Sequence, residues 1–133
     1  MDNMNEVKPE KKYLGIEDVQ AYSVSFDLSN KVWDIVVGWN HFAQNTIGSQ
    51  LVRAIDSISA NITEGWGRFG KKDKIRFYRI SKGSLAESQD WIKKAYKRKL
   101  ISDEERFEIL TELDRLPKML NILIKITNDK LKQ

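Results

Sequence analysis

Arg53, Ser57, Asn61, Glu64 and Arg68 recur at intervals of 4, 4, 3 and 4, so a helix stacks them along one line. A carboxylate, a hydroxyl, an amide and two guanidiniums in a row could serve as a catalytic row. The same set also reads as a polar seam whose groups satisfy one another between helices or subunits. The short Ser and Asn side chains favour the seam, because a solvated face is normally filled with long Lys and Glu. Other catalytic arrangements are missing. His41 is the only histidine, and no serine stands at a recognisable motif spacing from it. There are no cysteines, which excludes disulfides, thiolate metal sites and a Cys nucleophile. The paired Glu-x-x-His pattern of di-iron bundles does not occur, and the carboxylates from Asp103 to Asp114 read as a solvated face. No catalytic residue, metal or cofactor is expected, and the chain reads as a non-enzyme.

The spacing of Gly65, Gly67 and Gly70 matches G-x-G-x-x-G. A dinucleotide site needs that motif to follow a strand and open a helix, so that a pyrophosphate meets free N–H groups. Here it follows a long helical pattern, so the glycines are read as a turn that ends a helix.

Charge supplies a second candidate site. The net charge is only +4, but residues 68–99 hold 12 Lys and Arg against 3 Asp and Glu, leaving 11 against 16 elsewhere. Arg68, Lys71, Lys72, Lys74, Arg76 and Arg79 are the expected phosphate contacts. Lys82 and the block Lys93, Lys94, Lys97, Arg98 and Lys99 extend the run. Part of it is an ordinary Lys-rich surface; repeated around an oligomer, it becomes a field suited to nucleic-acid backbone. Trp66 and Phe69 stand beside Arg68, where they could stack on bases or simply pack. No RNA-recognition module signature is present.

Four helical patterns position these residues. The first is expected over about 17–37, with Val19, Tyr22, Phe26, Trp33 and Val36 inward and Leu28, Val32 and Ile35 widening the band. The second carries Ile47, Leu51, Ala54, Ile55, Ile58 and Ile62 on its apolar face, with Asn45 or Thr46 capping its start. The third runs from about Lys72 to Arg98, with Ile75, Phe77, Ile80, Leu85, Trp91, Ile92 and Ala95 as apolar contacts. Gly83, with Ser81, Ser84 and Ser88, offers a narrow strip for close helix approach. The fourth opens with a capping box, Ser102 and Glu105, and buries Phe107, Leu110, Leu113, Leu120 and Leu123. Short connections and no alternating strand signal predict an all-α, antiparallel up-down-up-down four-helix bundle over 13–133. Residues 1–12, polar and interrupted by Pro9, read as a disordered tail. No run approaches the ~20 apolar residues that span a membrane. With no signal-peptide pattern, a cytoplasmic location is expected.

The run Gln50, Arg53-Ala54, Ser57-Ile58, Asn61-Ile62, Glu64-Gly65, Gly67-Arg68, followed by Phe77, Gly83-Ser84-Leu85 and Glu87, resembles the family of the 23S rRNA intervening-sequence proteins. Helices two and three carry the motif, and helices one and four agree in length and apolar pattern. The sequence departs from the family at Trp39-Asn40-His41-Phe42, at Val52 and at Thr63. The resemblance implies a four-helix bundle assembled as a homopentamer around a central channel. It also implies that Arg53, Ser57, Asn61, Glu64, Ser84 and Glu87 form a structural polar seam, with Gly83-Ser84-Leu85 packed against Asn61 and Glu64. Hydrogen bonds among Asn61, Glu64, Arg68, Ser84 and Glu87 are therefore expected. A relative, the accessory protein of diversity-generating retroelements, works with a reverse transcriptase and nucleic acid. Three functions follow as expectations: a scaffold for structured RNA or DNA or for a nucleoprotein, a reverse-transcriptase accessory subunit, or a scaffold for protein alone.

Overall fold

The computed structural model describes residues 15–131 as helices and the turns that join them. A 3-10 turn, Ile16–Asp18, leads into α1, Gln20–Val37. α2 is one continuous helix in three parts: the turn His41–Ala43, a π-helical turn Gln44–Gly48, and Ser49–Gly67. α3 is Lys71–Lys97 and α4 is Asp103–Lys130. The connections 38–40, 68–70 and 98–102 are too short to cross the bundle, so consecutive helices lie antiparallel. α1 packs on α2, α2 on α3 and α3 on α4, and α1 closes the ring against α4. This is the up-down-up-down bundle expected from the sequence. The tail expected over 1–12 lies outside the described residues, as do positions 13, 14, 132 and 133.

The apolar line read for α2 is the centre of the core, with Leu51, Ile55, Ile58 and Ile62 each at most 1% exposed. Most of the lines expected for the other helices are buried too, Val19 and Val36 on α1, Ile75, Leu85, Ile92 and Ala95 on α3, and Leu113, Leu120 and Leu123 on α4, but some of their large members turn out. Phe26 and Trp33 of α1, Ile80 of α3 and Phe107 of α4 face outward. Leu28 and Val32, expected at the edge of the α1 band, lie in the core, where Tyr78 of α3 and Ile109 and Leu116 of α4 join them. The reason is size. Ala21 and Ser25 on α1 and Ser81 and Ser88 on α3 are fully or nearly fully buried, and small residues let backbones approach closely. Each serine carries its own solution to burial: Ser25 Oγ donates to the Ala21 carbonyl (2.7 Å) and Ser88 Oγ to the Ser84 carbonyl (2.8 Å).

The start of α2 is a correction. Asn40, not Asn45 or Thr46, is the cap, its Oδ1 accepting from the Ala43 N–H at 2.9 Å. Thr46 lies inside the helix and bonds back to the Phe42 carbonyl at 2.7 Å. The extra residue of the π turn re-aims the helix where Gly48 meets α1. A Cβ on Gly48 would fall 2.9 Å from Val36 Cγ1. α4 begins as expected, Ser102 Oγ accepting from Glu105 N–H (3.0 Å) and Glu105 Oε1 from Ser102 N–H (2.8 Å).

Gly65 is also corrected. It does not end a helix but lies buried inside α2, where a Cβ would meet the Tyr78 ring at 2.7 Å and the Lys74 carbonyl at 2.9 Å. The helix is ended by Arg68 in extended conformation, φ −77° and ψ 154°, and no glycine among the described residues has positive φ.

Candidate functional site

The 68–70 turn and the first three turns of α3 bring the expected phosphate contacts to one end of the bundle. Lys71, Lys72, Arg76 and Arg79 line one surface concavity of about 860 Å³, with Ile75, Ile80 and Asn128 completing it. Lys72, Arg76 and Arg79 follow at intervals of 4 and 3 on an exposed face. They rise about 10 Å along the helix, the span of roughly three nucleotides of a strand. No carboxylate lines the concavity. Lys72 and Arg79 make no ion pair with any described residue. Arg76 reaches Asp73 only at 3.7 Å and stacks over Phe77 with its Cζ 4.5 Å from the ring centre. Lys71 donates to the Asn128 carbonyl at 3.3 Å, holding the end of α4 against α3.

The other two expected contacts, Lys74 and Arg68, do not line the concavity. Lys74 is half-buried, and its Nζ donates to the Trp66 carbonyl at 2.7 Å and the Gly65 carbonyl at 3.4 Å. It thereby caps the free carbonyls at the end of α2. Burial holds its pKa below the ordinary lysine value, because the charged form loses solvent. Arg68 pairs with Glu64 at 2.9 Å and lies over Phe77, 4.7 Å from the ring centre. The second basic block stands about 30 Å away at the far end of α3, where Lys94 is paired with Asp90 at 2.6 Å.

The polar row of α2 does not form the expected network. Ser57 Oγ donates to the Arg53 carbonyl (2.7 Å) and Asn61 Nδ2 to the Ser57 carbonyl (2.8 Å). Glu87 accepts from Trp91 Nε1 at 3.1 Å on its own helix, and Ser84 offers its carbonyl to Ser88. Of the bonds expected among Asn61, Glu64, Arg68, Ser84 and Glu87, only Glu64–Arg68 forms. α2 and α3 meet where Gly65 approaches Tyr78 and Ile58 approaches Ser81. The polar link there is Ser81 Oγ donating to the Ile58 carbonyl at 2.8 Å. Ser81 stood in the sequence at 3 and 4 residues from Tyr78 and Leu85; that small polar residue in an apolar register was the available signal.

Arg53, at one end of the row, instead borders an outward apolar surface. Trp33 and Val37 of α1, 55% and 56% exposed, line a second concavity of about 370 Å³ with Val36, Gly48, Val52 and Arg53. Phe26 continues the stripe, its ring 5.6 Å from that of Tyr22. Among the described residues no cluster of His, Asp or Glu could hold a metal ion, and no helix is long and apolar enough to cross a membrane.

Comparison with known proteins covers most of this architecture. Residues 17–122 match the sequence profile of the 23S rRNA-intervening sequence proteins. No curated protein matches the chain. Its fold is similar to a crystal structure of a protein of unknown function from the S23 ribosomal protein family of Bacteroides thetaiotaomicron VPI-5482. The TM-score is 0.69 at 20% identity, over 78% of this chain and 97% of that one.

Proposed function

This chain belongs to the 23S rRNA-intervening sequence protein family, and we propose that it is a non-enzymatic, self-associating scaffold that holds the phosphate backbone of structured RNA or DNA. The observation that carries the reading is the concavity of Lys71, Lys72, Arg76 and Arg79 with no carboxylate in its lining. Four cations around one surface suit a polyanion better than a single carboxylate ligand. They lack the planar, groove-reading arrangement that identifies bases in a duplex, so backbone binding with little sequence preference is the expected mode.

Self-association belongs to the same proposal. The stripe of Phe26, Trp33 and Val37, with Arg53 of α2 at its border, leaves an apolar face that a second copy would cover. Family resemblance makes the homopentamer the expected closed form, and a ring would repeat the cationic concavity around its circumference. There the row Arg53, Ser57, Asn61 and Glu64 would act as a seam between subunits.

Fluorescence anisotropy with a structured RNA and a duplex DNA across a salt series tests the reading. Removing one phosphate-binding cation should flatten the log–log salt slope by about 1, so Lys72→Glu with Arg76→Glu should abolish binding near physiological salt. Absence of binding at low salt would overturn it in favour of a protein-binding scaffold. Co-purification with a polymerase would then point to the accessory-subunit role.

A further inference from the structure

We infer that Phe69 is a stacking platform for an unpaired nucleobase, so that the preferred ligand is a nucleic acid with a single-stranded nucleotide beside its bound phosphates. The inference rests on the phosphate-binding reading above and adds a base contact to it.

Phe69 is fully exposed, in a turn held between two long helices. Arg68 N–H donates to the Gly65 carbonyl at 3.2 Å, and Lys74 N–H to the Gly70 carbonyl at 3.0 Å, so the turn backbone is tied on both sides. Gly67 and Gly70, on either side of it in the chain, have open space where a side chain would stand. The other aromatic groups nearby are engaged: Phe77 lies under the guanidiniums of Arg68 and Arg76, and Trp66 is half-buried beneath the Lys74 ammonium.

Charge selects the partner. Arg68, Lys71 and Lys72 stand close to Phe69 in the chain, and the cationic concavity begins one residue beyond the turn. An apolar protein surface would have to desolvate those cations to cover the phenyl ring. A nucleotide brings a flat π-face and an anion together, and stacking on an aromatic ring tolerates any base. Bases inside a duplex already stack on one another, so the ring can serve only an unpaired nucleotide at a loop, bulge or end.

The test uses the full chain with 2-aminopurine oligonucleotides, as single strands of RNA and of DNA and as the matching duplexes. Binding of the single strand should quench the probe. Phe69→Ala should weaken single-strand binding by about tenfold to a hundredfold, abolish the quench, and leave duplex affinity and salt slope unchanged. Phe69→Trp should retain both properties. The RNA and DNA arms show which backbone is preferred. Unchanged single-strand affinity in Phe69→Ala, with duplex binding intact, overturns the stacking role while the phosphate reading stands. Failure of wild type to bind either form at low salt overturns both. Thermal unfolding of Phe69→Ala confirms that the exposed position leaves the fold intact.

Discussion

Lys74 and Lys72 are near neighbours with opposite assignments. The Lys74 ammonium closes the end of α2 through the Trp66 carbonyl, whereas Lys72 faces solvent on the concavity. Lys74→Ala should lower the unfolding free energy by about 1 kcal/mol and leave the salt slope of nucleic-acid binding unchanged. Lys72→Ala should reverse the pattern, flattening the slope by about 1 with stability unaffected. Urea denaturation and anisotropy on the two variants separate these roles. Tyr78 adds an alkali-sensitive contribution to the stability of the fold. Its buried hydroxyl, with Thr127 as partner, is pushed up to about 12 from the ordinary 10.0 because ionisation in the core loses solvation. The fold therefore favours the protonated phenol. That stability is whole below about pH 10 and is lost as pH rises toward 12, since the unfolded chain releases its proton first. The expected slope across that window is about 1.4 kcal/mol per pH unit, and it should disappear from denaturation curves of Tyr78→Phe.

Glycines and caps decide how the helices meet. Gly65 lies where a Cβ would strike the Tyr78 ring and the Lys74 backbone, while Gly83 sits exposed on α3 with open space around it. Gly65→Ala should destabilise by about 1–3 kcal/mol through overpacking. Gly83→Ala should stabilise by about 0.5–1 kcal/mol through helix propensity. The opposite signs, read by thermal unfolding, check both positions. α3 ends in a motif that normally uses glycine. Leu100 N–H reaches the Ala95 carbonyl at 2.9 Å, and Lys99 stands at φ 63°. A side chain in that left-handed region costs about 1 kcal/mol, so Lys99→Gly should raise stability by about that amount.

At the scale of the molecule, the two exposed surfaces have different characters. The α1 stripe is apolar and the α3 face is cationic, as expected if one joins copies and the other meets a polyanion. Trp33→Asp with Val37→Asp should therefore reduce the mass seen by light scattering to that of a 15.5 kDa chain. Both positions are more than half exposed, so circular dichroism should show the helices retained. Loss of the assembly should also weaken nucleic-acid binding by removing multivalency, with the concavity itself unchanged.

The helical class, the four-part order, the Ile47–Ile62 core line of α2 and the Ser102 cap were legible in the sequence, because each is written in local spacing. The same is true of the cationic run, which needs only charge and position. The inward faces of α3 and α4 were legible in large part, through Ile75, Leu85, Ile92 and Ala95 and through Leu113, Leu120 and Leu123, whereas the rotation of α1 and the outward turn of single large residues were not. Hydrophobicity pointed to Phe26, Trp33, Ile80 and Phe107, whereas close packing chose the sides carrying Ala21, Ser25, Ser81 and Ser88. The partners of polar groups were also decided by the tertiary structure. Lys74 looked like any lysine of the run until the end of α2 supplied its carbonyls. Local spacing fixes the helices and their charge. Rotation about each helix axis depends on contacts between residues far apart in the chain, and those exist only after the bundle closes.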